Sequence, residues 1–190
     1  MATAVLTRQH DGRTVPTPGT YVLDPSHTTV EFVGRHLMIT KVRGRFTGFS
    51  GGFTIAERPE DSSVEVEIDA ATVDSSDQRR DEHLRSPDFL DVERFPKLTF
   101  RSTGVEAGSD GHWSVRGDLT VRDVTRPVDL DVEFDGAETT PWGEGRLGFS
   151  AATEVNREDW GLTWNQALET GGMLVGKRVR IELNVEAVRK

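Results

Sequence analysis

The chain has 190 residues and no cysteine, with 23 lysines and arginines against 32 aspartates and glutamates, a formal net charge of −9. The length suits one domain with a substantial core, and the charge repels a phosphate backbone, which excludes nucleic acid as a partner. Without thiols there is no disulfide, no cysteine nucleophile and no thiolate-held zinc or iron–sulfur centre.

Residues 1–18 contain Pro16 and Pro18 and no periodicity, so the sequence predicts a flexible N-terminal tail followed by a domain over residues 19–190. The longest apolar stretch of this segment is broken at Thr7 and Arg8, before the core of a signal peptide forms, so a cytoplasmic location is expected. No later run approaches the roughly 18 apolar residues of a spanning helix, and no dense Lys/Arg cluster suggests a bilayer anchor, so stable membrane insertion is not expected.

Beyond Gly19 the dominant signal is period two. If Val30 and Phe32 face one side, Gly34, His36 and Met38 follow, and Gly44 to Gly52 (GRFTGFSGG) is a strand-like run whose glycines suit bulges or bends. Val64, Val66 and Ile68 alternate with Glu65, Glu67 and Asp69. Ser75, Ser76 and Asp77 can cap a helix through Arg85, and Ser86–Pro87 opens a short turn to Leu90. Alternation returns at Leu98, Phe100 and Ser102, and at Trp113, Val115, Gly117, Leu119 and Val121. Val128, Leu130, Val132 and Phe134 interleave with Asp129, Asp131 and Glu133. Leu147, Phe149, Ala151 and Thr153 form another strand, Trp164 to Glu169 a second possible helical piece, and Val179, Ile181, Leu183 and Val185 the last strand.

Strands with one apolar face must pack on a second sheet or close on themselves, and closure also removes exposed edges. The fold class expected is all-β: a single closed antiparallel barrel of about eight strands, with one or two short helices. A barrel of that size is either filled by its own side chains or holds one ligand. Small positions at Gly34, Gly44, Gly104, Gly117, Ala151 and Thr153 stand among Phe32, Phe46, Phe100, Trp113 and Phe149. On one reading this leaves an apolar hollow, and on the other the glycines are bulges and the rings close the gap. A long hydrocarbon entering such a hollow gains roughly 0.8 kcal/mol per buried CH2.

The chain resembles the YceI-like family, lipocalin-like barrels that bind polyisoprenoids. The likeness is dense in Arg80, Asp81, His83, Leu84, Arg85, Ser86, Asp88, Phe89, Asp91, Phe95, Pro96, Phe100 and Ser102. It extends through Asp24, His27, Val30, Phe32 and His36, through Val42, Gly44 and Phe46, through Gly117, Leu119, Thr120, Val121, Thr125, Val128 and Leu130, and through Arg157, Asp159, Trp160, Gly161 and Leu162. The resemblance implies a non-catalytic protein that binds, stores or transports an isoprenoid quinone or prenyl pyrophosphate in an apolar pore, with no other cofactor, and in some relatives as a homodimer. Thr28 stands where relatives often have serine, and many relatives are exported.

The ligand-binding candidates are Phe32, His36, Met38, Phe46, Phe100, Trp113, Leu119, Phe149, Trp160 and Met173, with Arg80, His83 and Arg85 for a head group. The same arginines can instead pair with Asp81, Asp88 or Asp91 and pin the helix to the barrel. Trp160, Trp164 and Met173 suit either the pore mouth or a satellite core. His36 and His83 lie in different elements without metal-ligand spacing, so no metal site is expected. Gly48 to Gly52 spells GxSxG, which offers a rival reading as a hydrolase using Ser50, but strand continues at Phe53, Thr54 and Ile55 where a nucleophile elbow requires a helix. A third reading is a solid barrel acting as an interaction module.

Overall fold

The computed structural model describes residues 5–109 and 111–190. A hairpin of β1 (Thr7–His10) and β2 (Arg13–Pro16) precedes β3 (Gly19–Leu23), β4 (Thr29–His36), β5 (Thr40–Phe46), β6 (Phe49–Ile55), β7 (Ser63–Asp69) and the short β8 (Val73–Asp74). The α-helix α1 (Gln78–Arg85) follows, and then β9 (Lys97–Ala107), β10 (Trp113–Val121), β11 (Val124–Thr139), β12 (Gly145–Asn156) and β13 (Arg178–Arg189).

Eight strands close a ring in the order β3, β6, β7, β9, β10, β11, β12, β13, all antiparallel, with β13 returning to β3. The alternating segments of the sequence supply this wall, wet outside and apolar inside. β13 is shared: Ala187–Arg189 pair with β3, whereas Arg180–Asn184 pair with β4. The branch β4, β5, β8 therefore continues the wall at the other end of the barrel. There β5 meets β8 only at Arg45 and Phe46, and α1 and the turns after it occupy the space between β8 and β9.

The helix starts where Asp77 accepts from Arg80 N at 3.0 Å, a side-chain cap for an otherwise unsatisfied backbone donor. Asp81 is buried and accepts from both Ser75 N at 2.8 Å and Ser75 Oγ at 2.5 Å. Arg85 Nε and Nη2 donate to the carbonyls of Ala71 and Val73, each at 2.7 Å. Together these bonds tie α1 to the segment around β8.

Several expectations require correction. Where the sequence predicts a flexible tail, residues 7–16 form an antiparallel hairpin with Leu6 and Val15 buried; residues 1–4 of that tail lie outside the described residues. Trp164 to Glu169 is loop, not helix. Gly44 and Gly117 leave no space: a Cβ at Gly44 would lie 2.2 Å from the Phe32 ring, and one at Gly117 2.4 Å from the Phe100 ring. Phe32 stands directly across from Gly44, and Phe100 lies diagonally across from Gly117, whose own partner is Ser102, so each ring packs on a strand glycine. The register shift between Arg116 and Gly117 pairs Gly104 with Arg116, on the outer face.

The core has two parts. One contains Leu98, Phe100, Val105, Trp113, Val115, Val121, Val128 and Trp160 around the wall. The other contains Leu6, Tyr21, Leu147 and Ala187, packed against Phe53, Phe134 and Phe149 at the end where β3 begins and β13 finishes. Among the described residues no helix is long and apolar enough to cross a membrane.

Candidate functional site: an apolar hollow with a polar mouth

The barrel encloses a cavity of about 1120 Å3, just above the roughly 300–1,000 Å3 of ordinary ligand pockets. Val64, Val66 and Ile68 of β7 and Ile181, Leu183 and Val185 of β13 all line it, and all are only half-buried although they point into the barrel. They face space, not one another. At the roughly 24 cal/mol per Å3 found for truncated cores, an empty apolar void of this size would cost about 27 kcal/mol, more than the roughly 5–15 kcal/mol that stabilises a domain. The hollow therefore holds water or a guest, and its apolar walls give water few hydrogen bonds.

Tyr21, Leu147 and Ala187, all fully buried, mark the closed end. At the opposite end the lining turns polar. Arg35 and His36 come from the end of β4, and Asp77, Arg79, Arg80 and His83 from α1 and its cap. The loop over residues 161–176 joins the two groups: Val175 bridges to His36, and Trp164 meets the His83 ring edge-on at 4.4 Å. His83 also packs against Phe89 at 5.0 Å and bonds Asp88 Oδ2 through Nε2 at 2.8 Å. Arg80 Nε and Nη2 donate to Ser75 Oγ and Ser75 O at 2.7 and 2.8 Å. Arg35 and Arg79 also line this mouth, and the Arg79 charge lies near enough to the Asp77 carboxylate to help lower its pKa, after the backbone N–H of Arg80.

Buried Arg157 holds that loop in place. Its guanidinium donates to the carbonyls of Gly176 at 2.9 Å, Leu162 and Val175. Burial lowers its pKa from the ordinary arginine value, and three carbonyl acceptors replace water around the charge. Trp160 Nε1 donates to Leu119 O at 2.9 Å, fixing the short 3-10 turn Arg157–Trp160 on β10.

Of the sequence-derived candidates, Phe32, His36, Phe46, Phe100, Trp113, Leu119, Phe149 and Trp160 line the cavity, and Arg80 and His83 line its mouth. Met38 and Met173 do not. They are 60% and 47% exposed, Met38 at the β4–β5 tip and Met173 in the 161–176 loop. The alternation that carries His36 inward ends there, because Leu37 and Met38 take positive φ of 54° and 58°. Arg85 also points elsewhere, to Ala71 and Val73. Arg80 and Arg85 thus pin the helix through backbone carbonyls and Ser75, not through Asp81, Asp88 or Asp91. Sequence reasoning did not select Arg35, Arg79, Val15 or Pro16, all of which line the cavity. Arg35 precedes a histidine already placed inward, and the hairpin residues carry no periodic signal.

Ser50 lies exposed at the second position of β6. Its neighbours are glycines because the strands run close: a Cβ at Gly51 would lie 2.2 Å from Glu65 O and one at Gly52 2.1 Å from Tyr21 O. Asp24, His27 and Glu186 converge closely enough to suggest metal ligands. A cation already stands there, since Arg146 Nη1 donates to both Asp24 and Glu186. His27 and Arg146 hold the Asp24 carboxyl far below the usual range.

The YceI-like domain profile matches residues 21–187. The UPF0312 protein of Vibrio parahaemolyticus is 36% identical over 173 residues, 90% of this chain and 87% of its own, and that of Shewanella baltica is also 36% identical with the same coverage. Among solved structures, BcnA of Burkholderia cenocepacia aligns with a TM-score of 0.76 at 19% identity, over 86% of this chain and 98% of its own. The Campylobacter jejuni YceI protein aligns at 0.70 with 26% identity, over 82% and 90%. A polyisoprenoid binding domain from Saccharophagus degradans, implicated in plant cell wall breakdown, aligns at 0.66 with 16% identity, over 90% and 98%. By the span of the profile match and the identity to its relatives, the chain belongs to the YceI-like family.

Proposed function

We propose that this protein binds, stores or carries a polyisoprenoid lipid, an isoprenoid quinone or a prenyl pyrophosphate, without chemically changing it. The observation that carries the reading is the cavity of about 1120 Å3 whose inward-facing valines, leucines and isoleucines remain half-buried. Such walls suit a hydrocarbon chain, because each CH2 withdrawn from water contributes about 0.8 kcal/mol and needs no directed polar contact. The polyisoprenoid binding domain with the same fold and the membership in the YceI-like family support this ligand class. At the mouth, the Arg35 and Arg79 guanidiniums, beside the Asp77 carboxylate, and the free N–H donors of Arg80 supply hydrogen bonds suited to a pyrophosphate or a quinone oxygen.

Native mass spectrometry of the purified protein, followed by solvent extraction and lipid identification, tests the proposal. A prenyl lipid at near one per chain is the expected result. A preparation that neither carries a lipid nor takes up an added prenyl alcohol or quinone overturns the proposal.

A further inference from the structure

The strands of the closed ring share one end, formed by the start of β3, the β6–β7, β9–β10 and β11–β12 turns and the finish of β13. The β1–β2 hairpin lies across it and bonds to two of these turns, while Leu6, just before the hairpin, packs on the strand that follows the third. Arg8 Nη2 donates to Ala56 O at 3.3 Å and to Glu57 O, between β6 and β7. Arg13 donates through Nη1 to His112 O at 3.1 Å and through Nη2 to Gly108 O, between β9 and β10, with its guanidinium 5.5 Å from the Trp113 ring. Leu6 packs on Gly145, just after the β11–β12 turn, so tightly that a Cβ there would meet Leu6 Cδ2 at 2.6 Å.

The inner side of this latch belongs to the cavity. Val15 is 2% exposed, sits in the core cluster that holds Val105 and Trp113, and lines the hollow together with Pro16. The family profile begins at residue 21, so this part of the wall comes from outside the segment that defines the family.

We propose that the N-terminal hairpin is a stopper whose Val15 and Pro16 set the greatest length of hydrocarbon the barrel accepts; this rests on the lipid-binding reading above. Each carbon that enters the hollow gains from burial, whereas carbons beyond the stopper must remain in the water at the mouth and gain nothing. Affinity therefore rises with chain length up to a break and then flattens. Removing the stopper opens the closed end, and the break moves to longer chains.

The test measures dissociation constants for a ladder of all-trans prenyl alcohols, added one isoprene unit at a time. It compares the wild-type chain, a deletion of residues 1–17, and the full-length variants Arg8→Ala/Arg13→Ala, Val15→Ala and Val15→Trp. In the wild type the expected curve steepens and then breaks. In the deletion and the unlatched double variant, the first unit beyond that break, whose five carbons now enter the hollow, binds on the order of several hundredfold tighter than in the wild type. Val15→Trp, which keeps the hairpin and fills the floor, moves the break to a shorter alcohol, and Val15→Ala, which deepens the floor, tightens binding of the first alcohol beyond the wild-type break. The two valine variants carry the test if the deletion does not fold. Breaks at the same length in all folded variants overturn the stopper while leaving lipid binding intact. Failure of the wild type to bind any member of the ladder overturns lipid binding and the stopper with it.

Discussion

At single positions, glycine and charge do work that the sequence pattern misrepresents. Gly44 and Gly117 suggested free volume, yet a phenylalanine ring packs against each. Gly44→Ala pushes Phe32, a cavity-lining residue, off its strand. The expected effects are a loss of about 1–3 kcal/mol from overpacking, read by urea unfolding, and a lower lipid content; a variant matching the wild type in both would refute the account. The Asp24 carboxyl, held below its usual pKa by His27 and Arg146, contributes stability that is fully present above the unfolded value of about 3.9 and is lost as the pH falls through the folded value. Arg146→Met removes that partner, so stability near neutrality drops and its dependence on pH below about 4 flattens. Unfolding curves collected at stepped pH check this, and curves for variant and wild type that run parallel would contradict it. Met38 shows the limit of period-two reasoning: the alternation is sound to His36, but the backbone leaves the strand at Leu37, and one residue in left-handed geometry breaks the parity of those after it.

Among the elements, those bonded along their whole length were legible and those held by side-chain latches were not. β7, β10, β11, β12 and β13 announce themselves because one face is wet and the other dry. The cap of α1 was also readable, since Asp77 precedes a helix of polar residues. The hairpin was not: four-residue strands show almost no periodicity, and the carbonyls that anchor Arg8 and Arg13 are invisible in side-chain chemistry. The loop over 161–176 is similar. Its order comes from one buried guanidinium and from Asn165, which donates to Val175 O at 2.7 Å and accepts from Val175 N at 3.0 Å. Asp81→Ala tests the latch of α1. It leaves Ser75 N and the Ser75 hydroxyl, now bonded to that buried carboxylate, without their acceptor, and the expected cost is about 1–3 kcal/mol. Hydrogen exchange should show faster opening in α1 and unchanged protection in β10 and β11; uniform loss across the barrel would mean that the helix is not an independent latch.

For the molecule as a whole, the alternation specified a closed barrel, but whether that barrel is hollow depended on distances across it that no periodicity encodes. The half-buried inner valines and leucines decide the matter. Narrowing the hollow separates fold from function. Ala151 lines the cavity from β12, and Ala151→Trp, which obstructs the hollow without filling it, should preserve the circular dichroism of the barrel, hold or raise its melting temperature, and lower lipid recovery; unchanged lipid recovery would place the guest elsewhere. The sharing of β13 between β3 and β4 bears on how the molecule comes into being. The ring has one seam, and the last twelve residues of the wall, Arg178–Arg189, are what sew it. Until the ribosome releases them, β12, β3 and β4 present unpaired edges, and contacts this distant in sequence form slowly. The nascent sheet is an open trough whose greasy side stays bare until the seam shuts.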